Sequence, residues 1–329
     1  MKLGRLLRPS ALASLALCLI AMLSLSLVVN ASKGDRDEYF QACVQRCDES
    51  RCSHPLPFYL RALFWSCRQD CEYECMRAIT REAKQNSREI MQYYGKWPFA
   101  RLWGIQEPAS VVFSIMNGFM HWTHLEPLMA RVNNPALKWT AMISLLYCVS
   151  SLNTWLWSAV FHVRDFPITE KLDYFSAALS ILIGFYGALV RVFHIKQHNT
   201  RRNLAILFSL CFMAHVSYLS LWKFDYGYNM AACVAVGLLN NAVWIGWSYR
   251  QSRRNRAAYA VTHPRTWLPT ICVLLLSGAM SLELFDFAPV WDVFDAHSLW
   301  HAATIFIIPL WYDFVLMDLD YLRATTHND

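Results

Sequence analysis

From about Gly104 onward the chain is a succession of apolar runs separated by short polar loops. A bilayer-spanning helix takes about 20 mostly apolar residues. On that measure the pattern predicts seven spans: Pro108–Leu128, Leu137–Phe161, Leu172–Val192, Leu204–Trp222, Tyr228–Trp247, Trp267–Leu284 and Leu299–Leu319. The first is interrupted by His121, His124 and Glu126. Two other patterns precede the spans. Lys2, Arg5 and Arg8, then an apolar run from Leu12 to Val29 and small residues through Ala31, form a secretory signal pattern. Cleavage is expected near Ala31, although the long apolar run also suits an uncleaved anchor. A polar segment crowded with cysteines follows.

The predicted organisation is therefore a signal peptide over residues 1–31 and a lumenal Cys-rich domain over 32–105. A seven-span catalytic membrane domain over 106–320 and a cytosolic tail over 321–329 complete it. The fold class is an all-α polytopic membrane protein, a seven-transmembrane helix bundle carrying an N-terminal lumenal disulfide-rich helical domain.

Composition supports this reading. The 329 residues are 56% hydrophobic and only 16% charged, against about 25% charged in soluble domains. Disorder and coiled coil are disfavoured. The net charge of +6 would suit a nucleic-acid partner until its location is traced. Arg131, Lys138, Arg191, Lys196, Arg201, Arg202, Arg250, Arg253, Arg254, Arg256 and Arg265 fall in alternate loops, whereas the opposing loops hold Arg164, Lys171 and Lys223. Basic residues concentrate in cytosolic loops, so the excess reports topology. It places the Cys-rich segment in the lumen and the tail in the cytosol, and no nucleic-acid partner is expected.

Cys43, Cys47, Cys52, Cys67, Cys71 and Cys75 lie together in the segment behind the signal. An even number of cysteines in an oxidising compartment reads as a disulfide framework. Spacings of four place most of them along helix faces, as in a stapled hairpin. All 15 connectivities remain open, and a zinc site is the weaker rival. Cys148, Cys211, Cys233 and Cys272 lie in apolar runs and read as small core residues.

Ionisable residues inside spans are costly and mark function by default. Ser158 and His162 stand four apart at the lumenal end of the second span. Asp173 opens the third. His297 and His301 open the seventh, again four apart. Residues at i and i+4 share a helix face, and the topology brings all five to one membrane level. Three imidazoles, a carboxylate and an open position suit a catalytic zinc. Zinc lowers the pKa of a bound water towards ~7, a carboxylate can take a proton, and a hydroxyl can steady an oxyanion.

Other polar residues carry blander readings. His194 and His198 have the same spacing but fall in a basic loop, and His121 and His124 lie towards the other membrane face. His54, His263 and His327 read as surface residues, and His215 as a single polar group in the fourth span. Glu283, Asp292 and Asp295 share the lumenal side and are candidates for groups behind the site. Asp313, Asn240 and Asn241 are expected to hydrogen-bond between helices.

The order Ser-x3-His, Asp eleven residues later, and a late His-x3-His resembles the CREST superfamily of seven-span proteins. That superfamily includes alkaline ceramidases, adiponectin-type receptors and Per1-like proteins. The segments CVQRCDESRC, CRQDCEYEC, YYGKWPFARLWGIQEPASVVFSIMNG, FHVRDFPITEKLDYFSA and ELFDFAPVWDVFDAHSLWH resemble the Per1-like branch over the whole chain after the signal. The resemblance implies a Golgi enzyme of GPI-anchor fatty-acid remodelling, a phospholipase A2-type hydrolase. Its substrates would be GPI-anchored proteins and their lipid, within a membrane-lipid setting. It would remove the unsaturated sn-2 acyl chain and leave lyso-GPI. On this reading His162, His297 and His301 hold zinc, Asp173 orients or deprotonates water, and Ser158 steadies the oxyanion or, as an alternative, acts as nucleophile. Other members of the superfamily imply rival functions: a receptor or chaperone for GPI-anchored proteins with a structural metal, or a ceramidase-like amidase.

Overall fold

The computed structural model describes residues 32–257 and 262–326. The expected signal peptide and His327 lie outside the described residues. Among those residues the chain is helical, with isolated bridges at three tight turns and no strand.

Two long helices and a short one between them form the cysteine-rich segment. Helix α1 (Glu38–Arg51) starts at Asp37, whose carboxylate accepts from Phe40 N at 3.1 Å. After the short α2 (Phe58–Ala62), helix α3 (Cys67–Gln85) starts with a reciprocal capping box between Ser66 and Gln69. Such caps satisfy backbone N–H groups that the first turn leaves unpaired. The disulfides are Cys43–Cys75, Cys47–Cys71 and Cys52–Cys67. This nested order makes α1 and α3 an antiparallel hairpin, and Phe40, Val44 and Tyr93 pack beside the outermost bridge.

The remaining helices are α4 (Pro108–Trp122), α5 (Leu125–Val132), α6 (Lys138–Val163), α7 (Pro167–Val192), α8 (His198–Ser217), α9 (Tyr226–Ala257), α10 (Leu268–Met280) and α11 (Ala296–Thr326). A π-helical turn, Tyr218–Trp222, prolongs α8. Five helices are long and apolar enough to cross a membrane: α6, α7, α8 with its extension, α9 and α11. The other two predicted spans are shorter helices. At the first, α4 stops after 15 residues and α5 begins beyond Thr123 and His124, where polar residues interrupt the apolar run. His124 Nδ1 lies 2.7 Å from Met120 O and takes up backbone polarity at the break. At the sixth, α10 spans 13 residues before a 3₁₀ turn. By length and composition five of the seven predicted spans are single helices long enough to cross a membrane, and the other two runs are divided into shorter pieces.

Helix α6 packs between α4 and α7, while α11 packs against α4 and α10. Buried Leu137, Ala141, Trp244, Tyr312, Phe314 and Leu319 belong to the core of the bundle. At the end where α7 finishes and α11 nears its C-terminus, Arg191 makes two 2.6 Å bonds to Asp318. His263 Nε2 lies 3.3 Å from the same carboxylate. His263, expected on the surface, is buried. Asn255 clasps its backbone from both sides (2.8 and 3.2 Å), holding the residue beside Asp318. His215 bonds Asn229, and Asn241 reaches Ser277 across α9 and α10.

Two outcomes test this architecture. Peptide mapping without reduction should recover the three nested pairs, and replacing both Cys43 and Cys75 by Ser should cost about 3–4 kcal/mol of hairpin stability in thermal unfolding. Arg191→Met should destabilise by about 3–5 kcal/mol, because it leaves a buried carboxylate uncompensated.

Candidate metal centre

The site is built where α4, α6, α7 and α11 meet. His162 lies in the last turn of α6, and its carbonyl accepts from Glu107 N at 3.1 Å while Val163 O accepts from Gln106 N at 3.0 Å. The chain entering α4 therefore closes the carbonyl end of α6, which otherwise lacks partners. Asp295 and Ser298 cap α11 reciprocally: Ser298 N donates to Asp295 Oδ1 (2.8 Å) and Asp295 N to Ser298 Oγ (2.9 Å). The cap fixes where α11 begins, so His297 lies in its first turn and His301 one turn on.

Three imidazoles converge there. The ring centroids of His297 and His301 are 4.5 Å apart, and each is 5.2 Å from that of His162. One ligand nitrogen from each lies within 4.8 Å of the others. His162 Nδ1 donates to Glu107 Oε2 at 2.7 Å, leaving Nε2 buried without a hydrogen-bond partner. His297 Nε2 and His301 Nε2 face each other at 3.0 Å. Two neutral ring nitrogens at that distance share either a proton or a cation. An orphaned nitrogen, a facing pair and a carboxylate behind one ring are what a divalent metal with nitrogen ligands requires. The donor set fits.

Glu107 is the hub behind His162. Its other oxygen accepts from Lys96 Nζ at 2.8 Å, and Lys96 also reaches Asp165 Oδ2 at 2.9 Å. Burial pushes the Glu107 carboxyl up, but Lys96 and His162 outweigh it and hold the group well below the usual carboxylate range. Burial alone would lower the Lys96 ammonium, yet Glu107 and Asp165 raise it above its ordinary value. Both groups stay charged at neutral pH.

Behind His301 the partners are hydroxyls and an amide. Its Nδ1 lies 3.0 Å from Ser114 Oγ, which lies 3.0 Å from Ser158 Oγ. Asn117 donates to His301 O at 2.8 Å, and Trp155 meets the His301 ring at 5.2 Å, edge to face. Asp173, half-buried on α7, lies within electrostatic range of His162 and His297.

The structure thus gathers His162, His297 and His301, with Asp173 nearby and Ser158 linked to the group through Ser114. Sequence reasoning missed Lys96, Glu107, Ser114 and Asn117. Their signals were present: a carboxylate directly before the Pro108 that opens an apolar helix, and Ser and Asn spaced within that helix. Of the groups considered for a place behind the site, Asp292 instead pairs with Arg77 at 2.8 Å and with Lys84, and Asp295 is a helix cap. The Glu283 side chain lies outside the description.

The cysteine-rich segment is fastened to this end. Trp65 carries both guanidinium groups of Arg101 and Arg164 at 3.5 Å and donates to Gly104 O at 2.8 Å. Gly104 adopts φ +87°, and a Cβ there would press on Leu63 at 3.1 Å, so glycine suits the position. Gln92 and Trp97 both donate to Asp286, and Ala100 N donates to Asp292 O. The loop that leads into α11 is thereby clasped.

Comparison with known proteins follows the same outline. The family profile described as the Per1-like family matches residues 57–319. A Schizosaccharomyces pombe protein named Protein PER1 homolog is 39% identical over 92% of each chain. Proteins named GPI-specific phospholipase A2-like PGAP3 are similar too. The Cricetulus griseus protein is 40% identical over 88% of this chain and 90% of its own. The human protein is 38% identical over 96% and 98%, respectively. No solved structure matches. With most of its length covered by the profile and by relatives of this identity, the chain belongs to the Per1-like family.

Proposed function

We propose that this protein is a metal-dependent acyl-ester hydrolase of GPI-anchor remodelling. It would cleave the sn-2 ester of GPI already attached to protein and leave lyso-GPI, in the Golgi membrane with its histidine end lumenal. The observation that carries this reading is the orphaned Nε2 of His162 beside the facing nitrogens of His297 and His301. The relatives named GPI-specific phospholipase A2-like supply the substrate class. Apolar helices end at the site's level, where the ester of a lipid lies just beneath its headgroup.

His162, His297 and His301 would hold the metal, zinc by their chemistry. Such an ion, when bound, lowers the pKa of a coordinated water and polarises the ester carbonyl. The chain's own groups do the rest. Glu107 accepts the Nδ1 proton of His162 and so keeps the opposite nitrogen unprotonated. Proton accounting along the hydroxyls bears on the role of Ser158. If His301 presents a bare Nε2, its Nδ1 carries the proton and donates to Ser114. Ser114 then donates to Ser158, and the Ser158 hydroxyl keeps its own proton to offer elsewhere. That supports Ser158 as a donor to the oxyanion. It disfavours a serine nucleophile, because His301 Nδ1 would have no lone pair to activate it. Asp173, near His162 and His297, would take the proton from water and pass it to the leaving alkoxide.

Mass spectrometry of GPI anchors tests the whole reading. Cells lacking the protein should retain an unsaturated sn-2 chain, wild-type rescue should remove it, and His162→Ala should not. Normal remodelling by a well-expressed His162→Ala variant overturns the hydrolase assignment. Tightly bound metal with no ester cleavage by purified protein would favour the receptor instead.

Two variants separate the supporting roles. Asp173→Asn should retain metal and lose about 10²–10⁴-fold in acyl release. Glu107→Gln should weaken metal affinity about 10–100-fold, read by equilibrium metal analysis, with its circular dichroism unchanged.

A further inference from the structure

At the end of the bundle opposite the histidines, α7 and α9 enclose a cavity of about 150 Å³. Its lining combines apolar and basic groups: Val192, Phe193 and Trp247 on one hand, His194, Arg250 and Arg254 on the other. Arg250 lies over the Phe193 ring at 5.7 Å. Neither Arg250 nor Arg254 has an ion-pair partner among the described residues, and the nearby carboxylate, Asp318, is already committed to Arg191 and His263. Arg191, one residue from the cavity wall, keeps a buried Nη1 with no hydrogen-bond partner. Partial burial foremost, and then Arg191 and Arg254, hold the His194 imidazole below its ordinary pKa.

A concave site with guanidinium groups free of carboxylate partners and an aromatic wall offers a place for an anion. Guanidinium groups match phosphate oxygens in a forked geometry. Basic pockets between membrane helices take anionic headgroups. We infer that this cavity binds the phosphate of an anionic phospholipid headgroup, a phosphomonoester in the leaflet opposite the histidine cluster. Trp247 and Val192 belong to membrane-crossing helices, so a lipid can fill the apolar side of the cavity as its headgroup meets the arginines. A free phosphate would use only the basic side. The site shares no residue with the histidine cluster and is independent of the hydrolase reading.

Native mass spectrometry of the full-length protein in detergent tests the inference, using short-chain phosphatidylinositol 4-phosphate, phosphatidylcholine and inorganic phosphate as probes. The phosphoinositide should give a one-to-one adduct. The Arg250→Gln, Arg254→Gln double variant should weaken it about tenfold or more. Arg202→Gln, which removes an exposed charge from the first turns of α8 outside the cavity lining, should leave the adduct unchanged. Should the double variant unfold, as read by thermal melting, Arg254→Gln alone gives the same comparison from an exposed position on α9. Displacement of the lipid by inorganic phosphate at equal concentration, with the same dependence on the two arginines, would keep the site and make a soluble phosphate its ligand. Equal binding of phosphatidylcholine, or equal weakening by Arg202→Gln, would overturn the inference.

Discussion

Inside a bilayer no water stands ready to satisfy a polar group, and each one left unpaired costs several kcal/mol. That constraint organises this molecule. Charged groups gather in sets: Lys96, Glu107, Asp165 and His162 at one end, Arg191, Asp318 and His263 at the other. Each set ties together segments that are distant in sequence. In the first set His162 keeps a buried ring nitrogen without a hydrogen-bond partner. Its other nitrogen is held by a carboxylate, and the helix end that carries it is closed by backbone bonds.

The cysteine-rich segment is part of the same construction. Lys96 comes from the turn that follows the hairpin and reaches Glu107 behind His162. Trp65, from the loop between α2 and α3, stacks with Arg164, two residues beyond His162. Arg77 and Lys84 on α3 hold Asp292, five residues before His297. The hairpin therefore touches both strands of chain that deliver imidazoles. A bundle without it would keep its helices but lose the supports that set their ends.

Much of this was legible in the sequence for physical reasons. Apolar run length gave the helices, and i,i+4 spacing put His297 with His301 and Ser158 with His162 on single faces. The internal breaks in two of the apolar runs were harder to read. A hydropathy run registers composition but not the break that His124 makes between α4 and α5, nor the 3₁₀ turn that ends α10. His263 looked like a surface residue because its loop is polar, and only the fold brings Asp318 beneath it. Glu107 and Ser114 escaped notice because their importance lies in what they face. A carboxylate before a helix-opening proline resembles any helix start until His162 is brought to it from 55 residues away.

The nested cysteines also define the molecule's nearest wrong answer. Because Cys43 and Cys47, like Cys71 and Cys75, repeat once per helical turn, sliding α1 along α3 by one turn still brings thiols together. Cys43 would meet Cys71 and Cys47 would meet Cys67, stranding Cys52 and Cys75. The opposite slide would join Cys47 to Cys75 and Cys52 to Cys71. Either slipped isomer has two bridges and two free thiols; the native register alone consumes all six. An oxidising compartment with a thiol–disulfide isomerase can therefore proofread this hairpin by a simple criterion, since a chain that still offers a reactive thiol in this segment is out of register.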